Sequence, residues 1–310
     1  MNHSFKLFLL LFAGILSGFN CNKTPNKESS PTQGNIKIFC DEALKNIIEQ
    51  EEDIFERNYP NAHISIEYIS DAELFKHFLN DSSEIIIGSR KLNSKEIEFL
   101  DKNKNLHPRE FPFAISAVAL ISASQSKDSL IKYEDLILAI KGSKDQKSKV
   151  YVVENSNSSI PNYLMSLAKV DILPSNFYAQ KDNIELIDYV SSHPGSVGIL
   201  DWSRISDSDD PRAKAILSKV NLIKVQQIRD SIPNLYYPPY QYNLQDNVYP
   251  FTRTLYFISR SGKNDLGLGF ASFITGEIGQ RILLKAGLLP LFQTDRWIEI
   301  KSGNDPKVIR

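Results

Sequence analysis

Four short stretches of this chain could hold an anion without a metal or a dense cluster of cations. Each lies where an apolar run gives way to a polar turn: "CDEAL" (Cys40–Leu44), "SDAEL" (Ser70–Leu74), "GSR" (Gly88–Arg90) and "NSNSSIP" (Asn155–Pro161). A helix start carries backbone N–H groups with no intrahelical acceptor, together with a partial positive charge. It can therefore bind a dehydrated oxyanion, and nearby hydroxyl groups add donors. In the fourth stretch Asn157, Ser158 and Ser159 supply a run of such groups where capping needs only one. Ser159 is the expected cap, and Pro161 fits the first turn while removing one N–H.

The other three stretches each admit two readings. Asp41 and Glu42 favour the start of the next helix, with Asp41 as its cap, but both carboxylates repel an anion. Backbone N–H groups of Ala43 or Leu44 avoid that conflict. Ser70 with Glu73 spells a capping box, which competes with any ligand for the serine. Ser89 and Arg90 are candidates beside a strand end, where Arg90 can grip an oxyanion or carboxylate bidentately or make a surface ion pair.

Other chemistries find less support. The histidines are His3, His63, His77, His107 and His193, and no two stand at the i, i+4 spacing of a helical metal site. An exported serine hydrolase is the enzymatic alternative, but no Gly-x-Ser-x-Gly elbow is present and no base for a serine can be identified. The expectation is a binding protein with no metal and no cofactor. The 310 residues carry a formal net charge of −1 and are 42 % hydrophobic, as in an ordinary globular protein with one or two cores. The absence of a basic stripe argues against nucleic acid as a partner.

Strands and helices alternate to position these junctions. "IKIFC" and "AHISIEYI" read as strands, with a helix over "EALKNIIEQEEDIF" between them. A helix follows Ser70, then the strand "EIIIG". This β-α-β-α-β order implies a mostly parallel sheet flanked by helices. A second α/β unit runs from about 118 to about 250, with a strand at "SAVALIS", a helix at "YEDLILAIKG" closed by Gly142, a strand at "KVYVV" and helix-turn-strand at "IELIDYVSSHPGSVGIL". "NLYYPPYQYNLQDNVYP" reads as an extended connection. Its Tyr236, Tyr237, Tyr240 and Tyr242 suit packing between units or the lining of a cleft. "TLYFIS" is a strand, and one or two helices close the chain. Cys40 ends an apolar run and reads as a small buried hydrophobe.

The N-terminus has a different character. Lys6 precedes the apolar run Leu7–Leu16, which suits an export signal and is too short to span a bilayer. "SGFNC" then ends at Cys21 and resembles a bacterial lipoprotein signal, which implies lipidation of Cys21. Residues 22–34 are rich in Pro, Ser and Asn and read as a flexible tether.

Several segments together resemble the phosphate-type substrate-binding proteins of ABC transporters. They are "IIIGSRKL" (Ile85–Leu92), "HPGSVGIL" (His193–Leu200), "YPFTRTLYFIS" (Tyr249–Ser259) and "FASFITGEIGQRILLKAGLLPL" (Phe270–Leu291). The resemblance implies the α/β, two-lobe type II periplasmic-binding fold, with crossover strands near Phe113–Leu120 and Pro250–Tyr256. It implies residues 35–117 plus 251–310 as lobe one and 118–250 as lobe two. Its function would be a lipid-anchored, monomeric receptor facing the periplasm or cell surface, which clamps phosphate or a related oxyanion and passes it to a permease. A receptor serving sensing or assembly is the alternative. The resemblance places Asp41, Glu42, Ala43, Ser70, Ser89, Arg90, Asn157, Ser158 and Ser159 at the ligand. It also sets Val153 where the family has an arginine, and Arg90 at or beside the family's acidic residue. Arg253 is expected to brace a crossover.

Overall fold

The computed structural model describes residues 29–144, 149–228 and 234–292, and the backbone of two short paired strands, Trp297–Glu299 and Lys307–Ile309. The apolar leader and Cys21 lie outside the described residues. Strand β1 (Gly34–Asp41) runs parallel to β2 (Ala62–Ile69) and β3 (Ile85–Gly88), with helices α1 (Lys45–Asn58) and α2 (Asp71–Leu79) in the crossovers. Helix α3 (Ser94–Lys104) follows, and its start is fixed by a reciprocal capping box between Asn93 and Glu96.

The chain then enters β4 (Arg109–Ala123), a 15-residue strand that belongs to both halves of the molecule. Its first part, up to Ala117, pairs antiparallel with β11 (Thr252–Ser259), which in turn pairs with β3. From Val118 onward it pairs instead with β8 (Val197–Asp201) and β9 (Val220–Gln226). The second half adds β5 (Leu130–Ile131), α4 (Tyr133–Ile140), β6 (Tyr151–Glu154), α5 (Ser159–Ala168), β7 (Phe177–Gln180) and α6 (Asn183–Ser192). β6, β7 and β8 are parallel to one another. Two lobes are thus tied by β4 and β11, and both ties are antiparallel to the strands they join.

The run after β9 is not wholly extended. It contains β10 (Tyr236–Tyr237) and the short helix α8 (Gln241–Gln245), whereas α7 (Pro211–Leu217) leads into β9. Tyr240 and Tyr242 are exposed there, and none of the four tyrosines enters the cleft between the lobes. Helices α9 (Leu266–Thr275) and α10 (Glu277–Lys285) close the chain onto the first half, where Phe55, Phe257 and Phe270 meet edge to face in the core. Cys40 is fully buried, as its sequence setting implies.

The tether ends sooner than its composition suggests. Residues from Ser29 on are docked: the Leu266 N–H donates to Ser29 Oγ at 3.2 Å, and Ser30 and Gln33 exchange backbone hydrogen bonds. Pro31 lies directly against Gly269, where a Cβ would stand 1.8 Å from the Pro31 carbonyl oxygen. Only glycine leaves room for that approach.

Candidate functional site

A cavity of about 130 Å³ lies where the lobes face each other. From the first lobe it is lined by Asp71, at the start of α2, and by Ser89 and Arg90, just past β3. From the second it is lined by Ser159, Asn162, Tyr163 and Ser166, all on α5. These four stand at i, i+3, i+4 and i+7, so one face of one helix forms that wall. Arg253 on β11 completes the lining.

Arg253 is 4 % exposed and central to the site. One terminal nitrogen donates to Ser159 Oγ at 2.8 Å and the other is ion-paired with Asp201. Asp201 in turn accepts from Ser116 Oγ at 3.0 Å and from the Ser203 N–H at 2.8 Å. The Arg253 Nε has no partner. Burial pulls the Arg253 pKa below the usual guanidinium value.

On the opposite wall Asp71 is 1 % exposed. Its Oδ2 accepts from Asn162 Nδ2 at 3.2 Å, across the cleft, and lies 3.5 Å from Arg90 Nε. Its Oδ1 has no partner. Burial raises the Asp71 carboxyl above its ordinary pKa, while Arg90 opposes that shift. Arg90 is heavily engaged. Its guanidinium makes a two-pronged pair with Glu96 at 2.9 and 3.0 Å and stacks 3.3 Å over the Phe75 ring.

A model of the PBP superfamily domain matches residues 25–277. The chain belongs to the PBP superfamily. No curated protein matches it. Among solved structures of the same fold, one is described as a phosphate ABC transporter substrate-binding protein with bound phosphate, from Clostridium perfringens; it is 18 % identical with a TM-score of 0.66, over 83 % of this chain and 100 % of that one. An ABC-type phosphate transport receptor from Vibrio cholerae is 15 % identical with a TM-score of 0.63, over 83 % and 100 % of the two chains. PstS from Borrelia burgdorferi is 20 % identical with a TM-score of 0.53, over 83 % and 99 %.

In this PBP-superfamily chain, three of the nine sequence-derived candidates line the cavity: Ser89, Arg90 and Ser159. Ser70 is next to it, immediately before Asp71. Its hydroxyl donates to Glu73 Oε2 at 2.9 Å, and the Glu73 N–H is 3.5 Å away, so the serine is occupied at the helix start and the capping box is only half made. Asp41 caps the turn at Glu42–Leu44: its Oδ1 accepts from the Ala43 N–H at 3.0 Å and its Oδ2 from Ser89 Oγ at 3.2 Å. The Ala43 N–H is therefore consumed, contrary to a role as a free donor. Glu42 faces the other lobe, where its Oε1 accepts from Asn155 Nδ2 at 3.2 Å.

The fourth stretch is arranged differently from its sequence reading. The residue at the cap position is Ser158, not Ser159, and it does not cap, because its hydroxyl donates back to the Glu154 carbonyl at 2.9 Å. Freed from capping, Ser159 turns to Arg253. Asn157 is exposed, and its N–H is taken by Asn155 Oδ1 at 3.0 Å. Val153 is buried in β6 and does not line the cavity. The cationic groups at the cavity are Arg253 and Arg90. Asn162, Tyr163, Ser166 and Asp71 escaped the search of the junctions, although the polar i, i+3, i+4, i+7 pattern from Ser159 to Ser166 carried the signal for α5; Arg253, expected to brace a crossover, lines the cavity as well.

Proposed function

We propose that this chain is an extracytoplasmic solute-binding receptor that clamps a small oxyanion, phosphate being the simplest, between its lobes and delivers it to an ABC permease. The observation that carries this reading is Arg253: a buried guanidinium, with a donor to spare, placed beside Ser159 in a cavity between two lobes. A charged donor held in a dry cleft is matched to an oxyanion. The Ser159 hydroxyl and the Arg253 Nε are its donors, the Ser89 hydroxyl being already given to Asp41. Contacts from Asn162 to Asp71 and from Asn155 to Glu42 join lobe to lobe, and a permease that reads the closed form would sense the ligand through them. The relatives with bound or transported phosphate support the same reading.

The proposal includes a division into lobe one (35–117 with 251–310) and lobe two (118–250), export, and a lipid on Cys21. It also includes a non-catalytic role. A serine hydrolase needs a base, and among the described residues no histidine lines the cavity: His77 is stacked on Phe39 and His193 on Tyr189. Calorimetry of the purified chain against phosphate, sulfate, phosphonates and carboxylates tests the reading. One site per chain for an oxyanion is expected, and no heat with any of them would sink it.

A further inference from the structure

The charges around the cavity do not make an anion trap. Its cations are Arg253 and Arg90. Arg253 is already paired with Asp201, and Arg90 with Glu96 and Asp71. Buried Asp41 stands behind Ser89, 3.2 Å from its hydroxyl. Four carboxylates thus surround two guanidiniums. A ligand that arrives with net negative charge adds to an acidic excess, in a setting where solvent screens little.

A second observation comes from the hydrogen bonds. The buried Asp71 Oδ1 is an acceptor with no donor, and the buried Arg253 Nε is a donor with no acceptor. Both belong to residues that line the same cavity. Leaving such groups unmatched is costly. Asn162 and Arg90 already share the other Asp71 oxygen, so Oδ1 is the oxygen of that carboxylate left without a donor. A ligand that satisfies both atoms carries an acceptor at one end and a donor at the other. A protonated phosphate does so only while bringing at least one net negative charge. The cavity's 130 Å³ also exceeds by several-fold the roughly 10–15 Å³ that one water occupies on the same measure, so there is room for a short arm.

We infer that the ligand is a small zwitterion: an oxyanion bearing an ammonium group on a short arm, with the oxyanion held by Ser159 and Arg253 and the ammonium by the Asp71 carboxylate. Such a molecule adds no net charge to the cleft. The inference rests on the oxyanion-receptor reading and narrows it to a class of substrate. Asn162 and Ser166 form the exposed rim beside the arm.

The test uses the full-length chain in mild detergent. Titration calorimetry compares 2-aminoethylphosphonate with ethylphosphonate, and β-alanine with propionate, with phosphate as reference. The expected result is at least tenfold tighter binding of the amino compound in one pair, with the preference lost in Asp71→Asn. Equal or weaker binding of the amino compound in both pairs would overturn the inference while leaving an oxyanion receptor in place. A preference that survives in folded Asp71→Asn would also overturn it. Binding of none of the five compounds would remove the oxyanion reading itself. The wild-type comparison decides the matter even if Asp71→Asn does not fold.

Discussion

Replacing Arg253 by methionine removes a cation from a place where water cannot substitute for it. The Arg253 and Asp201 side chains are 2 % and 0 % exposed. Removing one partner of such a pair costs about 3–5 kcal/mol, because the other charge is left buried and uncompensated. Here Asp201 keeps two donors, Ser116 Oγ and the Ser203 N–H. Those hydrogen bonds hold its charge in part, which places the loss at the lower end, about 3 kcal/mol. For a chain of this size that corresponds to a fall in Tm of roughly 5 °C. Adding Asp201→Asn removes the stranded charge, so the double variant is expected to recover about 1.5 kcal/mol or more of the loss. Thermal and urea unfolding followed by circular dichroism measures both. Calorimetry on the folded single variant is expected to show no oxyanion binding. A loss below about 1 kcal/mol, together with unchanged binding, would refute the placement of Arg253 as both the buried counter-charge and the ligand's donor.

Other substitutions probe the first lobe. Glu51 on α1 is fully buried with neither carboxylate oxygen partnered, and burial pushes its pKa well up. Glu51→Met is expected to stabilise the protein by about 1–3 kcal/mol at pH 7, read as a raised Tm; a lowered Tm would show an unseen partner. Burial, then the neighbouring carboxylates Glu56, Glu49 and Asp53, raise the Glu52 pKa to about 7 from the ordinary 4.5. An acid whose folded pKa is raised stabilises the fold at low pH and loses that contribution as pH climbs from about 4.5 through about 7. Glu52→Gln should therefore raise Tm relative to wild type more at pH 8 than at pH 5, and a pH-independent difference would contradict this. Gly269→Ala is expected to push Pro31 off α9, costing about 1–3 kcal/mol and opening the segment from Ser29 to Gly34 to protease. An unchanged cleavage rate there would mean that the contact does not hold the segment.

The sequence conveyed the strands and most helices through period alone. β2 alternates visibly, and α1 carries Ile47, Ile48 and Phe55 on one face. Helix α3 was illegible by period because Leu100 is its only buried residue, yet its Asn93–Glu96 box was there to be read. β4 looked shorter than it is, since its first third, "REFPF", does not alternate cleanly. The site was legible in part because sequence reasoning looks for local donors at helix starts. Ser89, Arg90 and Ser159 are local in that sense. Arg253 is not: its partner Ser159 lies 94 residues away, and only the pairing of β11 against β4 brings it beneath α5. Local reasoning also cannot foresee that a serine in the cap position will bond backward to Glu154, as Ser158 does, and so release its neighbour for the cleft.

The docking of Pro31 against Gly269 sets a mechanical limit. If Cys21 bears lipid, eight residue steps separate the anchor from Ser29, which is held against the body. Fully extended, that length of chain spans at most about 28 Å. That is less than the width of a small domain. The receptor would be leashed closely rather than free to roam. Any partner it serves must then present itself within that short radius, and a longer leash, made by inserting residues after Cys21, would change how often the two meet without touching either the cleft or its ligand.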